Sequence, residues 1–556
     1  MSETEDIKKD ITEEEKTQPG SPADVPDEEG NGKQETPDGR KPKRHLIKNT
    51  WARRVLKSLM WFIVAVVLLP FLLYIPPIQT LVKNIACSEV SKSTGMKIDI
   101  GTFRLRFPLD LELENVKVLD KSGDTMVVSR KAVLDVKLLP LFSLDVRIKK
   151  LRLEDSYYRM VSEDSSMVMT VRARELVTDD HCSANIAKGD INLDKVWLKG
   201  GRVNLYMDVW RQKPKPPEPG KFLIRARQLD LEDFRFSMSM LPTIDTLWVT
   251  SRRLVARNGV IDLRNNLITL EEGSLKDGKA VYITPTAQYI ASHPAPPPSP
   301  YKSPPITIRA SRLQLDNYTA LYATKGARPV AGFDPAYMQF SDVSLQLEDF
   351  YNRETTVRLP ISMLKGKERS GLDIAQASGT VGVDSTGVSL HELKVKTLYS
   401  QLSANAYLSF GMMAMQENGP FNVDASGTLG LPDIDAFMPA MKVYTSKVPG
   451  RKPLDLALKA GGKMGDILID RLKLSMAGLL ALDASGSVRN VLSPAKLAGR
   501  LTFDGKVHNP VALQAIGGMK PMQLPPLQLK GKATASGDEY TADFVLTSPD
   551  GNVAGE

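Results

Sequence analysis

One short pattern recurs along this chain and constrains its fold more than any other feature: Leu, any residue, Leu, an acid, any residue, an apolar residue. It reads LELENV at Leu111, INLDKV at Ile191, LDLEDF at Leu229, LQLDNY at Leu313 and LQLEDF at Leu345. Looser copies are LRLEDS at Leu151, ITLEEG at Ile268, VSLHEL at Val388 and ILIDRL at Ile467. A pitch of about 40 residues marks a stacked repeat array. Each unit carries an apolar face that it cannot bury alone. The expectation is an elongated object rather than a compact enzyme. The acid of each motif is read as a solvent-face charge beside a turn, where it blocks edge pairing.

The chain has 556 residues and a net charge of +8, with an acidic start: residues 1–39 hold 13 acids and 4 bases. That leader lacks the apolar content to fold. From Ser58 to Val82 there is no charged residue. A run of about 20 apolar residues is enough for one membrane-spanning helix. Its centre comprises Trp61, Phe62, Ile63, Val64, Val66, Val67, Leu68, Leu69, Phe71, Leu72, Leu73, Tyr74 and Ile75. Pro70 is tolerable in such a helix, and Pro76-Pro77 are expected to end it. Arg40, Lys41, Lys43, Arg44, Lys48, Arg53, Arg54 and Lys57 precede the run with no acid among them. The positive-inside rule then places residues 1–57 in the cytoplasm and the bulk of the chain across the membrane. A cleaved signal peptide fits less well, because the leader and apolar run are too long and no A-x-A site follows. A lipoprotein anchor at Cys87 is disfavoured by the intervening Lys83.

After the anchor, Val82, Ile85, Ala86 and Val90 sit at helical spacing, with Gly95 as a cap. Beyond Met96 the period becomes two. Phe103, Leu105, Phe107, Leu109, Leu111 and Leu113 alternate with Arg104, Arg106, Asp110 and Glu112, and Leu134, Val136, Leu138, Val146 and Ile148 continue the scheme. Each run is a strand with one apolar and one charged face. VNLYMDV at Val203 and FNVDASGTLGL at Phe421 behave alike, and a short helix is expected around Asp435–Lys442. The segments from Val388 and from Ile467 resemble each other and read as hairpins. Two proline-rich stretches, KPKPPEPGK from Lys213 and HPAPPPSPYKSPP from His293, cannot join a ladder and read as loops or extended excursions.

No G-x-S-x-G, Walker A or H-E-x-x-H pattern occurs, so no catalytic residue and no cofactor is predicted. Asp179, Asp180, His181 and Cys182 have ligand chemistry, but neighbours on a strand diverge, and a polar loop is the better reading. The two cysteines make no disulfide framework. No nucleic-acid motif is present.

TGMKIDIGTFRLRFPLDLELENVKVLD and AVLDVKLLPLFSLDVRIKKLRLEDS, following an uncleaved anchor, resemble the amino-terminal region of the AsmA-like family, and within it the translocation and assembly module branch (TamB type). The resemblance covers roughly residues 58–160. LGLPDIDAFMPAM and LDASGSV match in style only, and the family's carboxy-terminal domain is not visible. The resemblance implies an inner-membrane anchor, a long periplasmic β-sheet curled into an open apolar groove, and a role in moving phospholipid towards the outer membrane. It equally implies a role in assembling or secreting outer-membrane proteins with a barrel partner of the assembly-factor type.

The expected fold is therefore all-β, with a single transmembrane helix before an elongated repetitive sheet. The expected organisation is a leader at 1–57, the spanning helix at 58–77, an amphipathic helix at 78–95, a first β module at 96–212, repeats between proline-rich loops at 213–305, and further repeats at 306–556. Phospholipid acyl chains and the inner membrane are the expected partners. At roughly 20 residues per strand, about 23 strands follow Met96; at about 4.8 Å each they make a trough of about 110 Å. The ending SPDGNVAGE falls in mid-repeat, so a continuation or a partner is expected to supply the remaining distance.

Overall fold

The computed structural model describes residues 50–555 apart from 73, 107–109, 137–147, 186–187, 295, 298, 303 and 521. The chain divides after Leu68 into two units, each considered by itself. Helix α1 spans Thr50–Leu72. Among the described residues no helix is long and apolar enough to cross a membrane. Of the predicted anchor, Leu73 and the side chains of Val66, Val67, Leu68 and Leu69 lie outside the described residues. So do Arg40, Lys41, Lys43, Arg44 and Lys48 of the basic cluster. Trp61, Phe62 and Ile63 are exposed, as are Phe71 and Leu72.

Pro76 and Pro77 do not end the first helix, as the sequence reading had it; they open the next, α2, Pro76–Thr94. Proline suits the first turn, where its missing N–H would have no partner. Gly95 closes α2 at φ 71°, its N–H donating to Ser91 O. From α2, Gln79 Nε2 donates to Leu105 O (3.0 Å) and Lys83 Nζ to Ile100 O (3.1 Å), so α2 covers the open edge of the first strand.

The strands from Lys97 onward belong to one 25-stranded sheet in which each strand pairs with the next along the chain, except β5 with β6 and β7 with β8. The strands are β1 Lys97–Arg106, β2 Asp110–Leu119, β3 Thr125–Val136, β4 Ile148–Val161, β5 Met167–Thr178, β6 Ser183–Asn185, β7 Asp190–Lys199, β8 Arg202–Asp208, β9 Leu223–Leu241, β10 Ile244–Asp262, β11 Leu267–Thr284, β12 Thr307–Thr324 and β13 Tyr337–Arg353. Then come β14 Thr356–Glu368, β15 Asp373–Val383, β16 Gly387–Thr397, β17 Gln401–Ser409, β18 Pro420–Leu429, β19 Leu454–Lys463, β20 Asp466–Met476, β21 Leu480–Arg489, β22 Ala498–Val507, β23 Leu527–Ser536, β24 Glu539–Ser548 and β25 Gly551–Gly555. β7 and β8 form one interrupted line, since both lie between β5 and β9 in a constant register. β6 pairs only with the start of β7.

Two neighbouring pairs are parallel: β7/β8 with β9, and β11 with β12. Parallel neighbours need a long return connection. The two proline-rich stretches are those returns. Proline fits them because an extended chain without ladder donors can cross a sheet without joining it.

The motif does not lie beside turns. In LELENV, LRLEDS, LDLEDF, LQLDNY, LQLEDF and VSLHEL its fifth residue stands in mid-strand at positive φ, from 48° to 55° (Asn115, Asp155, Asp233, Asn317, Asp349, Glu392). An Asx-rich spot looks like a turn in sequence because Asn and Asp tolerate the left-handed region. Here that tolerance bends a strand that continues. The bend also shifts the alternation by one. Leu229 and Leu231 precede Asp233, and Phe234 and Phe236 follow it, so apolar residues change from odd to even numbers across the bend.

The helix predicted at Asp435–Lys442 is split. It comprises α5 Leu431–Phe437, a 3-10 turn at Pro439–Met441 and α6 Lys442–Thr445. Met438, just before Pro439, is forced to φ −129°, ψ 86°. Leu431, Val448, Met476 and Leu479 form the one cluster of buried apolar residues among the described residues, joined by Leu513 and Ile516 of α7, Pro510–Ile516. The four short helices after β11 are α3 Ala287–Ser292, α4 Phe410–Met413, α5 and α6; α7 follows β22.

Candidate apolar groove

Directly paired residues on neighbouring strands point to the same face. Followed pair by pair, this rule traces one apolar line across the sheet. Phe103 faces Leu113, then Ala132, Leu153 and Leu176. The line continues through Leu198, Leu231, Leu254, Leu275 and Leu315. Leu345, Leu364, Ala377 and Val395 carry it over β13–β16. Leu402, Gly427, Leu456 and Leu474 follow on β17–β20. It runs out through Leu482, Gly505, Leu529, Leu546 and Val553. No charged residue interrupts it. Leu113, Leu153, Leu231 and Leu315, the second leucines of four motif copies, stand on it.

Of the predicted groove residues, Phe103 and Leu113 are on this line. Leu105, Leu111 and Leu134 form the adjacent parallel row. Val136 pairs with Ile148, and their side chains lie outside the described residues, as do Phe107, Leu109, Leu138 and Val146 altogether. The larger part of the line, from β5 onwards, was absent from the sequence reading. Its only signal there was the L-x-L step itself, which does not say which strand pairs with which.

The face bearing the line is the concave one. The return from β8 to β9 is pinned at both ends. Lys213 N donates to Asp164 Oδ2 (2.9 Å) in the β4–β5 turn, and Arg264 Nε donates to Lys221 O (3.2 Å) beside the start of β9. Eight residue steps reach at most about 29 Å. The 19-residue β9, along which this strap returns, has a contour of about 60 Å. A connection so much shorter than the strand must run as a chord on the inside of a bend. Exposure shows which face is inside. Trp197, Leu468 and Val545 project from the face opposite the line and are 42%, 51% and 45% exposed. On the line's own face Val196 is buried and Ile469 and Leu546 are half-buried, whereas Leu529 and Val553 in the last strands are 37% and 62% exposed. With no second protein layer on either side among the described residues, curvature accounts for the difference.

The outer face carries a matching charged line: Glu114, Lys131, Glu154, Glu175, Lys199 and Glu232, then Arg253, Lys276 and Asp316. The acids of four motif copies, Glu114, Glu154, Glu232 and Asp316, are members of this ladder. The like-charged neighbours Glu154 and Glu175 are bridged by Arg152, at 3.2 and 3.0 Å. Glu112 is the most enclosed charge, 3% exposed between Arg106 and Lys131. Hydrogen bonding from Lys131 holds its carboxyl below the ordinary glutamate value, against the opposing effect of burial.

Next to the charged line, one residue further from the apolar one, runs the row of bends. Asn115, Asp155, Asp233, Asp277 and Asn317 all have positive φ. Arg130 reaches Asp155 (2.8 Å), and Asn317 Nδ2 donates to Asp277 Oδ1 (2.6 Å).

The Asp179–Cys182 loop gains one residue that sequence did not suggest. Ligand atoms of Asp179, His181 and Asp194 lie within 4.8 Å of one another. Both Asp194 oxygens accept from the Arg227 guanidinium, which holds that carboxyl below its ordinary range. The Arg227 guanidinium thus already pairs with one of the three groups.

Together these features define a class: a single-layer, repeatedly bent β-sheet with an apolar concave face and a charged convex face. No protein-family model matches the chain, and no curated protein matches it.

Proposed function

We propose that this chain is a lipid bridge: an inner-membrane-anchored, periplasmic protein that carries phospholipid towards the outer membrane along its apolar trough. The observation that supports it is the unbroken apolar line from Phe103 to Val553, on a concave face that no described element fills. Such a face suits a non-protein occupant, and an acyl chain matches its apolar chemistry. At about 0.8 kcal/mol per methylene, a chain of about 16 carbons gains on the order of 12 kcal/mol over water. A continuous line offers that gain at every step, so no step exposes the whole tail. Passive sliding of this kind only equilibrates, so direction must come from elsewhere. The uncharged run 58–82 with its basic flank supports the anchor and its orientation, and the resemblance to the AsmA-like family supports the compartment.

A photo-crosslinker at Leu254, on the line, is expected to capture phospholipid in cells, while one at Arg253, on the outer ladder, is not. Leu254→Asp is expected to block lipid passage while folded protein still accumulates. Equal capture at the two positions, or loss of fold on Leu254→Asp, would remove the support for a trough.

A further inference from the structure

We propose that the strap from Lys213 to Lys221 is a headgroup contact, lying across the mouth of the trough and favouring amphiphiles with an anionic, phosphate-bearing head. This rests on the reading that acyl chains occupy the trough floor. The placement follows from chain length. Pinned by Asp164 at one end and by Arg264 at the other, the strap is too short to follow the outside of the bend. It therefore spans the concave side, above the floor formed there by Leu198 and Leu231. A lipid whose tails lie on that floor presents its head at the mouth, at the level of the strap.

The chemistry of the strap suits that position. Its sequence, KPKPPEPGK, has three lysines and one acid. Lys213, Lys215 and Lys221 are exposed, and none of them joins an ion pair among the described residues. The four prolines keep the segment extended and remove backbone donors, so it can neither collapse onto the floor nor add a strand. Trp210 ties it to the second return, donating from Nε1 to Pro294 O (3.0 Å).

The test uses the purified full-length protein in detergent and two fluorescent probes with identical tails, phosphatidylglycerol and diacylglycerol. The native protein is expected to bind phosphatidylglycerol more tightly. The variant K213Q/K215Q/K221Q should lose affinity for it by about three- to tenfold, given the modest worth of each exposed lysine near an anionic surface. Its affinity for diacylglycerol should be unchanged, which also shows that the variant is folded. Raised salt should narrow the preference in the native protein only. Equal binding of both probes by the native protein, or an undiminished preference in the variant, overturns the strap while leaving the trough intact. Binding of neither probe overturns the trough and the strap with it. Displacement of phosphatidylglycerol by inorganic phosphate at constant ionic strength would make the strap a site for the free anion and overturn the lipid assignment.

Discussion

The first and second halves of the sheet bend by different means. From β9 to β13 the strands are long, 17 to 19 residues each, and bend in mid-strand at Asn and Asp residues held at positive φ. Their outer face is laced by paired charges. From β17 to β25 most strands have about ten residues, and the left-handed Asx residues are replaced by glycines such as Gly427 (φ 152°) and Gly486 (φ 153°). There the support is packing, in the cluster of Leu431, Val448, Met476 and Leu479. The apolar line passes through both halves unchanged. The curvature devices are interchangeable, whereas an apolar residue, or a glycine or alanine small enough to do no harm, is kept at every crossing.

The largest effect is expected where a glycine bend cannot accept a side chain. A Cβ at Gly427 would stand 2.1 Å from Gln401 O, so the β17 backbone must move. Gly427→Ala should cost about 2 kcal/mol or more in chemical denaturation. Hydrogen exchange should rise in β17–β19 and stay unchanged in β9–β12. A uniform rise would dissolve the distinction between the halves.

A smaller effect is expected from the charged half. Glu112→Gln leaves Arg106 and Lys131 without their shared partner, at a cost of about 1–2 kcal/mol, since both bases are partly hydrated. Because the folded carboxyl titrates below its unfolded value, its contribution is complete above the unfolded pKa and lost as pH falls through the folded one. The native protein should therefore lose its margin over Glu112→Gln on acidification through the carboxylate range. A margin that does not change with pH would mean that the charge contributes nothing.

The smallest effect belongs to the Asx bends. Asn317→Ala should cost about 1 kcal/mol, the strain of a Cβ in the left-handed region without a compensating local hydrogen bond. Asn317→Gly should restore most of that loss. If alanine and glycine behave alike, the positive φ is not what the asparagine supplies, and the two halves do not differ in the way described.

Much of this could be read from the sequence because it is local. Period-two alternation from Phe103 to Leu113 gives strands with one apolar face, and the fixed pitch gives a repeating sheet of about the observed strand number. The proline-rich stretches announce connections, because proline cannot donate to a ladder. Three features were decided only by the tertiary structure. The motif at Leu229 or Leu313 bends a strand rather than ending it, since an Asx residue at positive φ serves either purpose and only the partner strands choose. The KPKPPEPGK stretch is a strap across the concave side because β8 and β9 are parallel, and strand direction is not encoded in either strand alone. The line from Phe103 to Val553 exists only in the register. A shift of one residue between two strands would bring a leucine opposite a charge without altering either strand's own pattern, and that choice is made by pairing across distant parts of the chain.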